Sequence, residues 1–181
     1  EIVLSVSRTT DEKKRVSKQV AILSDRDIAS IVPNTSAELL REAPGIRIQR
    51  SQGGGGSPVI RGFEANRILL VVDGVRMNNA IYRSGHLHNA ISIDPFSLSR
   101  AEVVYGPSSV GYGSDALGGV VHYFTKEPRV GDAQPWRFFI ANSYDTRHEH
   151  SINHVDITHS NDKWASLTSA SYSIFGDIYM G

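Results

Sequence analysis

The longest strongly apolar run in the chain, Ile68 to Val72, is only as long as a β-strand and ends at the turn dipeptide Asp73-Gly74. A helix that crosses a membrane needs about 18 uninterrupted apolar residues, so no such helix is expected. Apolar residues make up 40% of the chain and charged residues 21%, which allows a packed core. We therefore expect short strands joined by tight turns.

Charge and cysteine content exclude several classes of protein. Nineteen basic residues balance 19 acidic ones, which gives no electrostatic reason to expect a nucleic-acid partner. The chain has no cysteine, so a disulfide framework and a thiolate metal site are excluded, while the compartment stays open. It starts at Glu1 without a basic-then-apolar signal segment, and we expect a processed or truncated chain.

The first half of the chain predicts a small α+β domain. Ile2 to Val6 is β-prone but has no evident local partner, so we expect a mobile end. Thr35 and Glu38 have the spacing of a capping box that starts a helix, which Pro44-Gly45 ends. Further strands are predicted at 20–23, 46–49, 59–60, 101–105 and 120–125, with a helical turn at 108–112 and a glycine loop at 53–56.

Residues 76–95 show no periodicity, and a loop of that length inside a compact domain is typically functional. It carries aromatic, basic and histidine side chains that suit a ligand face: Tyr82, Arg83, His86 and His88.

After Pro128 three segments of about ten residues follow, at 136–144, 151–159 and 164–175. This length, with aromatic residues near the ends, is typical of transmembrane β-strands. Trp136, Phe138, Ile140 and Tyr144 share one face of the first segment, whereas the middle segment alternates poorly. Extra strands of a soluble β-domain are the alternative interpretation.

Enzyme motifs are not found. The four-glycine run lacks the ending of a phosphate-binding loop, and no serine lies in a Gly-x-Ser-x-Gly motif. No pair of carboxylates has matched chemistry around it, so we expect no catalysis and no catalytic cofactor.

Five motifs in order carry a resemblance to a known family. They are Ala37 to Ile46, Ile60-Arg61-Gly62-Phe63, Arg67 to Arg76, Ser99 to Pro107, and Tyr112 to Val121. In this order and spacing they resemble the plug domain of TonB-dependent outer-membrane receptors.

The resemblance implies an organisation and a location. Residues 1–10 would hold a mobile TonB box, 11–127 the α+β plug domain, and 128–181 the first antiparallel strands of an incomplete 22-stranded transmembrane β-barrel. The protein would lie in the bacterial outer membrane, with its plug facing the periplasm and lipid around its barrel. The partner would be TonB of the inner-membrane energy-transducing complex.

The resemblance also implies roles for single residues. Ile2, Val3, Leu4, Ser5 and Val6 look like the TonB box, which would pair with the partner's sheet edge; an ordinary first strand is the alternative. Arg61 and Arg100 match plug arginines that face barrel glutamates and lock the plug. An internal salt bridge of Arg61 with Glu102 is equally compatible, and Glu102 is therefore the third candidate locking residue.

The transported ligand would be a metal chelate. Gly85-His86-Leu87 resembles the plug loop of haem receptors, where a histidine at the position of His86 is an axial ligand of haem iron. A ferric siderophore fits the same plug about as well. His148, His150 and His154 could form a metal site only if a hairpin brought them together, and lumen-facing histidines are the simpler interpretation, also for His159.

A soluble α+β ligand-binding or adhesin module is the alternative to the transporter. Three barrel strands alone would leave an open edge and a lipid-facing side. If they are ordered, we expect them to pack on the plug, to pair with a neighbouring copy, or to be accompanied by barrel strands absent from this chain.

Overall fold

A computed structural model describes residues 2–3, 11–12, 19–49, 56–64, 67–77, 93–107, 109–113, 115–146 and 149–176. The strands are β1 Ile2–Val3, β2 Asp11–Glu12, β3 Val20–Ser24, β4 Ile46–Gln49, β5 Ser57–Ile60, β6 Ile68–Val72, β7 Val75–Arg76, β8 Leu98–Tyr105, β9 Gly119–Thr125, β10 Trp136–Asp145, β11 His150–Ser160 and β12 Ala165–Ile174. The α-helices are α1 Asp25–Ile31, α2 Ser36–Leu40 and α3 Ser109–Tyr112, and Pro95–Ser97 forms a 3₁₀ turn. No helix in these ranges has the length and hydropathy that crossing a membrane requires.

A five-stranded sheet of order β3-β8-β9-β6-β7, here the central sheet, organises the first part of the chain. β6 and β9 run parallel, and the other neighbouring pairs are antiparallel. β6 is the apolar run Ile68–Val72, and its first four residues are buried. A strand with residues buried on both faces reads as a continuous apolar run, which is why the sequence predicted it without alternation.

Two helices and the β4–β5 hairpin cover one face of the central sheet. Thr35 caps α2 as predicted, because its side chain accepts a hydrogen bond from the backbone N–H of Glu38 at 3.1 Å. The Glu38 carboxylate accepts from the backbone N–H of Asn34 at 3.0 Å. Leu39 and Leu40 are fully buried, so this short helix is held by its core contacts.

The sequence interpretation missed α1. Ser24 and Asp27 form its reciprocal capping box, in which each side chain accepts from the other's backbone N–H. Ile28 points into the core. The Ser-x-x-Asp spacing before two isoleucines three residues apart could have revealed this helix.

The first strand corrects one expectation. β1 pairs antiparallel with β2, with Val3 opposite Asp11, so the expectation that the β-prone N-terminal piece lacks a local partner was wrong. Main-chain pairing needs no particular side chain, and acidic residues gave no sign of a strand at 11–12. Leu4, Ser5 and Val6 lie outside the described residues.

The last three strands form an antiparallel sheet of order β10-β11-β12, here the wall sheet. Its registers place Ile140 opposite Val155 and Val155 opposite Ala170. One face, here the inner face, packs on the rest of the chain: Ala141 and Ile152 join the core cluster that contains Phe96. The expectation that ordered strands pack on the plug-like domain is thereby confirmed.

Candidate functional site

The outer face of the wall sheet is exposed and bears a band of apolar side chains, interrupted by Asn142, Asn153, Ser166 and Thr168. Phe138 and Ile140 are each 67% exposed, and they continue across the sheet through Ile157 and Val155. Aromatic rings lie toward both ends of this face: Trp136, Trp164, Tyr144 and Tyr172. A water-facing sheet has the opposite arrangement, with apolar residues packed inward.

On the inner face of the same sheet, the side chains of β11 are mostly polar and buried. His150, His154 and Asp156 on β11 are buried at every second position, together with Ile152. The middle segment therefore does alternate in burial. Its hydropathy hid the pattern because the buried side chains are mostly polar.

The contact between the inner face of the wall sheet and the plug-like part is here called the seam. A chain of hydrogen bonds and ion pairs along it, here the seam network, joins the two parts. Lys126, just after β9, places its ammonium 2.5 Å from the Asp156 carboxylate, which also accepts from Ser169 at 2.6 Å. Asp156 lies 2.8 Å from Nε2 of His154. Charged side chains that are removed from water are stabilised only where ion-pair or hydrogen-bond partners replace that water. The Lys126–Asp156 pair therefore holds the wall sheet against the plug-like part.

The other end of the seam network reaches the segment that follows residues 78–92. The Ser171 hydroxyl donates to Asp94 and lies 2.6 Å from Nδ1 of His154. Asp94 also caps the 3₁₀ turn by accepting from the backbone N–H of Phe96 at 2.9 Å. Sequence reasoning missed Lys126, Asp156 and Ser171, because partners 30 and 77 residues apart cannot be paired without the fold.

Phe96 lies at the centre of this seam. Its ring stacks on His154 with centroids 4.8 Å apart, and the ring of Phe139 lies 6.4 Å away. The side chain of His154 is fully buried. The Phe96–His154 contact is therefore an aromatic stack surrounded by the polar groups of the seam network.

Two cavities lie along the same seam. The larger, about 440 Å³, lies between α1 and the inner face near Asp156 and Thr158. The smaller, about 270 Å³, lies at Ile93 and Asp94 against Ile152 and Ser173. Phe96 lines both. The volume of the larger cavity falls in the lower range of small-molecule sites, and the smaller cavity lies just below that range.

The three predicted locking residues are separated into two groups. Arg100 pairs with Glu102 at 2.8 Å, and its guanidinium lies 4.2 Å from the ring centre of Phe124. Arg61 instead donates to Gln19 and lies over the ring of Tyr105. The ion pair of Glu102 is thus made with Arg100 rather than with Arg61, because both side chains lie on the same strand two residues apart. The locking role itself stays a prediction.

The Asp73-Gly74 turn is confirmed and is held from β9. The Asp73 carboxylate accepts from the backbone N–H and the hydroxyl of Thr125, at 3.0 and 2.7 Å. His122 accepts from the backbone N–H of Gly74 at 3.1 Å through Nε2. Burial lowers the pKa of His122, an effect that Glu102 and Asp73 oppose. A neutral ring is what this acceptor role requires.

The described start of the aperiodic loop is attached to the plug-like part. Arg76 ends β7 and pairs with Asp115 at 2.7 Å. Residues 78–92, and with them the predicted ligand-binding residues Tyr82, Arg83, His86 and His88, lie outside the described residues. Their role stays a prediction.

The remaining histidines have separate surroundings. His150 lies against the ring of Phe175 at 4.3 Å, and His159 lies between Trp136 and Trp164 at 4.2 and 4.6 Å. His148 is outside the described ranges. Within those ranges no group of three histidine or acidic side chains is arranged so that it could hold a metal ion.

Comparison with known proteins gives consistent results. The model of the TonB-dependent Receptor Plug Domain family matches residues 12–120. The chain is 32% identical over 126 residues to "Vitamin B12 transporter BtuB" of Vibrio vulnificus strain CMCP6, covering 68% of this chain and 20% of that protein. It is 37% identical over 107 residues to "Hemin receptor" of Yersinia pestis, covering 59% of this chain and 15% of that protein.

Solved structures agree on the fold. The alcaligin outer-membrane receptor FauA of Bordetella pertussis superimposes with a TM-score of 0.77 at 19% identity, covering 96% of this chain and 29% of that one. This chain spans about a fifth of the length of the B12 transporter it matches. The ordered motifs, the mixed sheet and the family match covering most of the plug-like part place the chain in the TonB-dependent receptor plug-domain family.

Proposed function

We propose that this chain is the plug and the first barrel strands of a TonB-dependent active transporter of the bacterial outer membrane. It would import a metal chelate, haem or a ferric siderophore, by binding it above the plug and rearranging the plug when TonB pulls. The plug faces the periplasm, and no step of this function is enzymatic. One observation carries the proposal: the wall sheet has an apolar exposed face and a polar face packed on the plug.

The dimensions of the outer face support a membrane location. Trp136 and Tyr144 are eight residues apart on β10, which is roughly 26 Å along a strand at about 3.3 Å per residue. A barrel tilt of 35–45° gives a height of roughly 19–22 Å, close to the ~25 Å apolar band of outer-membrane barrels. The aromatic rings would then lie at the two interfaces, and lipid would cover Phe138 and Ile140.

A soluble module would have to leave this apolar face in water. Exposed patches of this kind mark a membrane or protein interface in a stable protein. The soluble binding module or adhesin is therefore the weaker candidate.

From the predicted loop at 76–95 we infer that the transported ligand is haem or a ferric chelate. The relatives named for vitamin B12 and for hemin are likewise named for metal-containing ligands. Titration of the full receptor with ferric haem tests this. His86→Ala should lose most of the Soret shift, whereas His159→Ala, on the outer face, should keep it. Identical Soret shifts in wild type and His86→Ala would remove His86 from the ligand set.

We assign TonB binding to Ile2–Val6. Adding an edge strand to a partner sheet uses backbone N–H groups, so a short extended segment suffices. Val3→Pro should abolish energised uptake and leave ligand binding intact, whereas Val3→Ala, which keeps its N–H, should transport. Equal uptake by both variants would exclude this segment as the TonB box.

A further inference from the structure

The two cavities on the plug–wall seam lie on opposite sides of one contact. The inner-face residues of β11 follow the order Ile152, His154, Asp156, Thr158. Ile152 lines the smaller cavity, and Asp156 and Thr158 line the larger one. His154, between them, meets Phe96, the residue that lines both cavities.

We propose that the Phe96–His154 stack is the constriction of a solute passage along the plug–wall seam, which joins the two cavities when the stack separates. The proposal rests on the transport function proposed above and names the route and its closing point. From Ile152 to Thr158 the passage would extend roughly 20 Å, six strand residues at about 3.3 Å each.

The contacts at the constriction explain why it is closed at rest. The Phe96 ring is 2% exposed, and His154 lies between Asp156 and Ser171, whose oxygens are 2.8 and 2.6 Å from its two ring nitrogens. Asp94 and Lys126 belong to the plug side, and Asp156 and Ser171 to the wall. A shift of the plug would break the Lys126–Asp156 and Ser171–Asp94 links together with the stack, because these contacts cross the seam.

The linings indicate what can pass. The larger cavity is lined by three basic side chains, Arg26, Lys126 and Arg137, and three acidic ones, Asp25, Glu127 and Asp156. The smaller cavity has Asp94 as its one charged lining residue. The charges are balanced only in the larger cavity, and the smaller one adds a single carboxylate, so the passage suits a polar solute with hydrogen-bonding groups.

Conductance of the full-length receptor in planar bilayers tests the constriction without a cargo or TonB. Phe96→Ala should produce an ionic conductance in KCl at least severalfold above that of wild type. His154→Ala opens the stack from the wall side and should do the same if Phe96→Ala fails to fold. If folded Phe96→Ala and folded His154→Ala both show only the wild-type conductance, the proposal is wrong.

Thiol labelling locates the current, since these 181 residues contain no cysteine. In the Phe96→Ala background, a bulky methanethiosulfonate on Ser171→Cys should block at least 90% of the added conductance. The same reagent on Ala170→Cys, one residue away on the outer face of β12, should leave it unchanged. Equal block at both positions, or none at Ser171→Cys, would show that the current runs elsewhere.

The two proposals fail separately. If haem and siderophores neither bind nor enter through the wild-type receptor, the proposed function fails whatever the conductance. If uptake is normal but the conductance tests fail, only the seam passage is refuted.

Discussion

Ile140 lies midway along β10 on the outer face, four residues from Trp136 and four from Tyr144, and is 67% exposed. If lipid covers this face, Ile140 lies near the middle of the bilayer. An arginine at the midplane of a membrane barrel costs about 2–4 kcal/mol, and about 0–1 kcal/mol near the interface. We therefore expect Ile140→Arg to lower the free energy of unfolding by about 2–4 kcal/mol and Tyr144→Arg by about 1 kcal/mol or less.

The assay is urea-dependent folding of the full receptor into lipid vesicles, followed by tryptophan fluorescence. A loss of 2–4 kcal/mol reduces the folded-to-unfolded ratio by roughly 30- to 700-fold at about 1.4 kcal/mol per tenfold, which moves the midpoint clearly. Asn142→Arg, on the same face between the two, should be intermediate. Charged substitutions at exposed positions of a soluble protein stay within about 0.5 kcal/mol, so three near-neutral variants would refute the lipid-facing assignment.

Three further predictions concern the plug and the seam. Burial depresses the pKa of His122. Its contribution to stability is therefore present above the unfolded-state pKa of 6.5 and is lost as the pH falls from there toward the folded-state pKa. In a profile of thermal stability between pH 7 and 4, His122→Gln should reduce the loss of stability below pH 6.5. Gly118→Ala should destabilise the plug by about 1–3 kcal/mol, since its Cβ would lie 2.4 Å from the Cβ of Phe63. As a control, a Cβ at Gly111 would meet no atom within 4 Å, so Gly111→Ala should be neutral or slightly stabilising. Hydrogen exchange of β9 amides measures both variants, and equal effects would contradict the packing around Gly118. Asp156→Ala should lower the free energy of opening of the wall sheet by about 2–3 kcal/mol, because it leaves Lys126 without its ion-pair partner beside a buried face. Amide protection of β11 measures this loss, and the double variant Lys126→Met, Asp156→Leu should recover most of it. If the double variant recovers nothing, the pair does not act as a unit.

Local sequence rules predicted the elements whose signal is local. The Thr35 cap, the Asp73-Gly74 turn and the apolar run of β6 each depend on neighbouring residues, and each was confirmed. The aromatic alternation of β10 was confirmed for the same reason, since Trp136 and Phe138 lie on its exposed face.

What the sequence did not reveal depends on contacts between distant segments. β11 looked irregular because its buried side chains, such as His154 and Asp156, are polar, and only the partner surface explains their burial. The seam network joins Asp94 and Lys126 to strands that follow later in the chain, so its pairing needs the fold. α1 was missed although its capping signal is local, which is an error of interpretation rather than a limit of the sequence.

Accessibility along β10 tests the central claim, that the wall sheet faces lipid outward and the plug inward, most directly. Single cysteines at positions 136–144 of the full receptor in vesicles would each carry a fluorophore, and brominated lipid would quench it. The account predicts strong quenching at even positions, such as Phe138 and Ile140, and weak quenching at odd positions, such as Phe139 and Ala141. Quenching without a period of two, or strongest at Phe139 and Ala141, would contradict it.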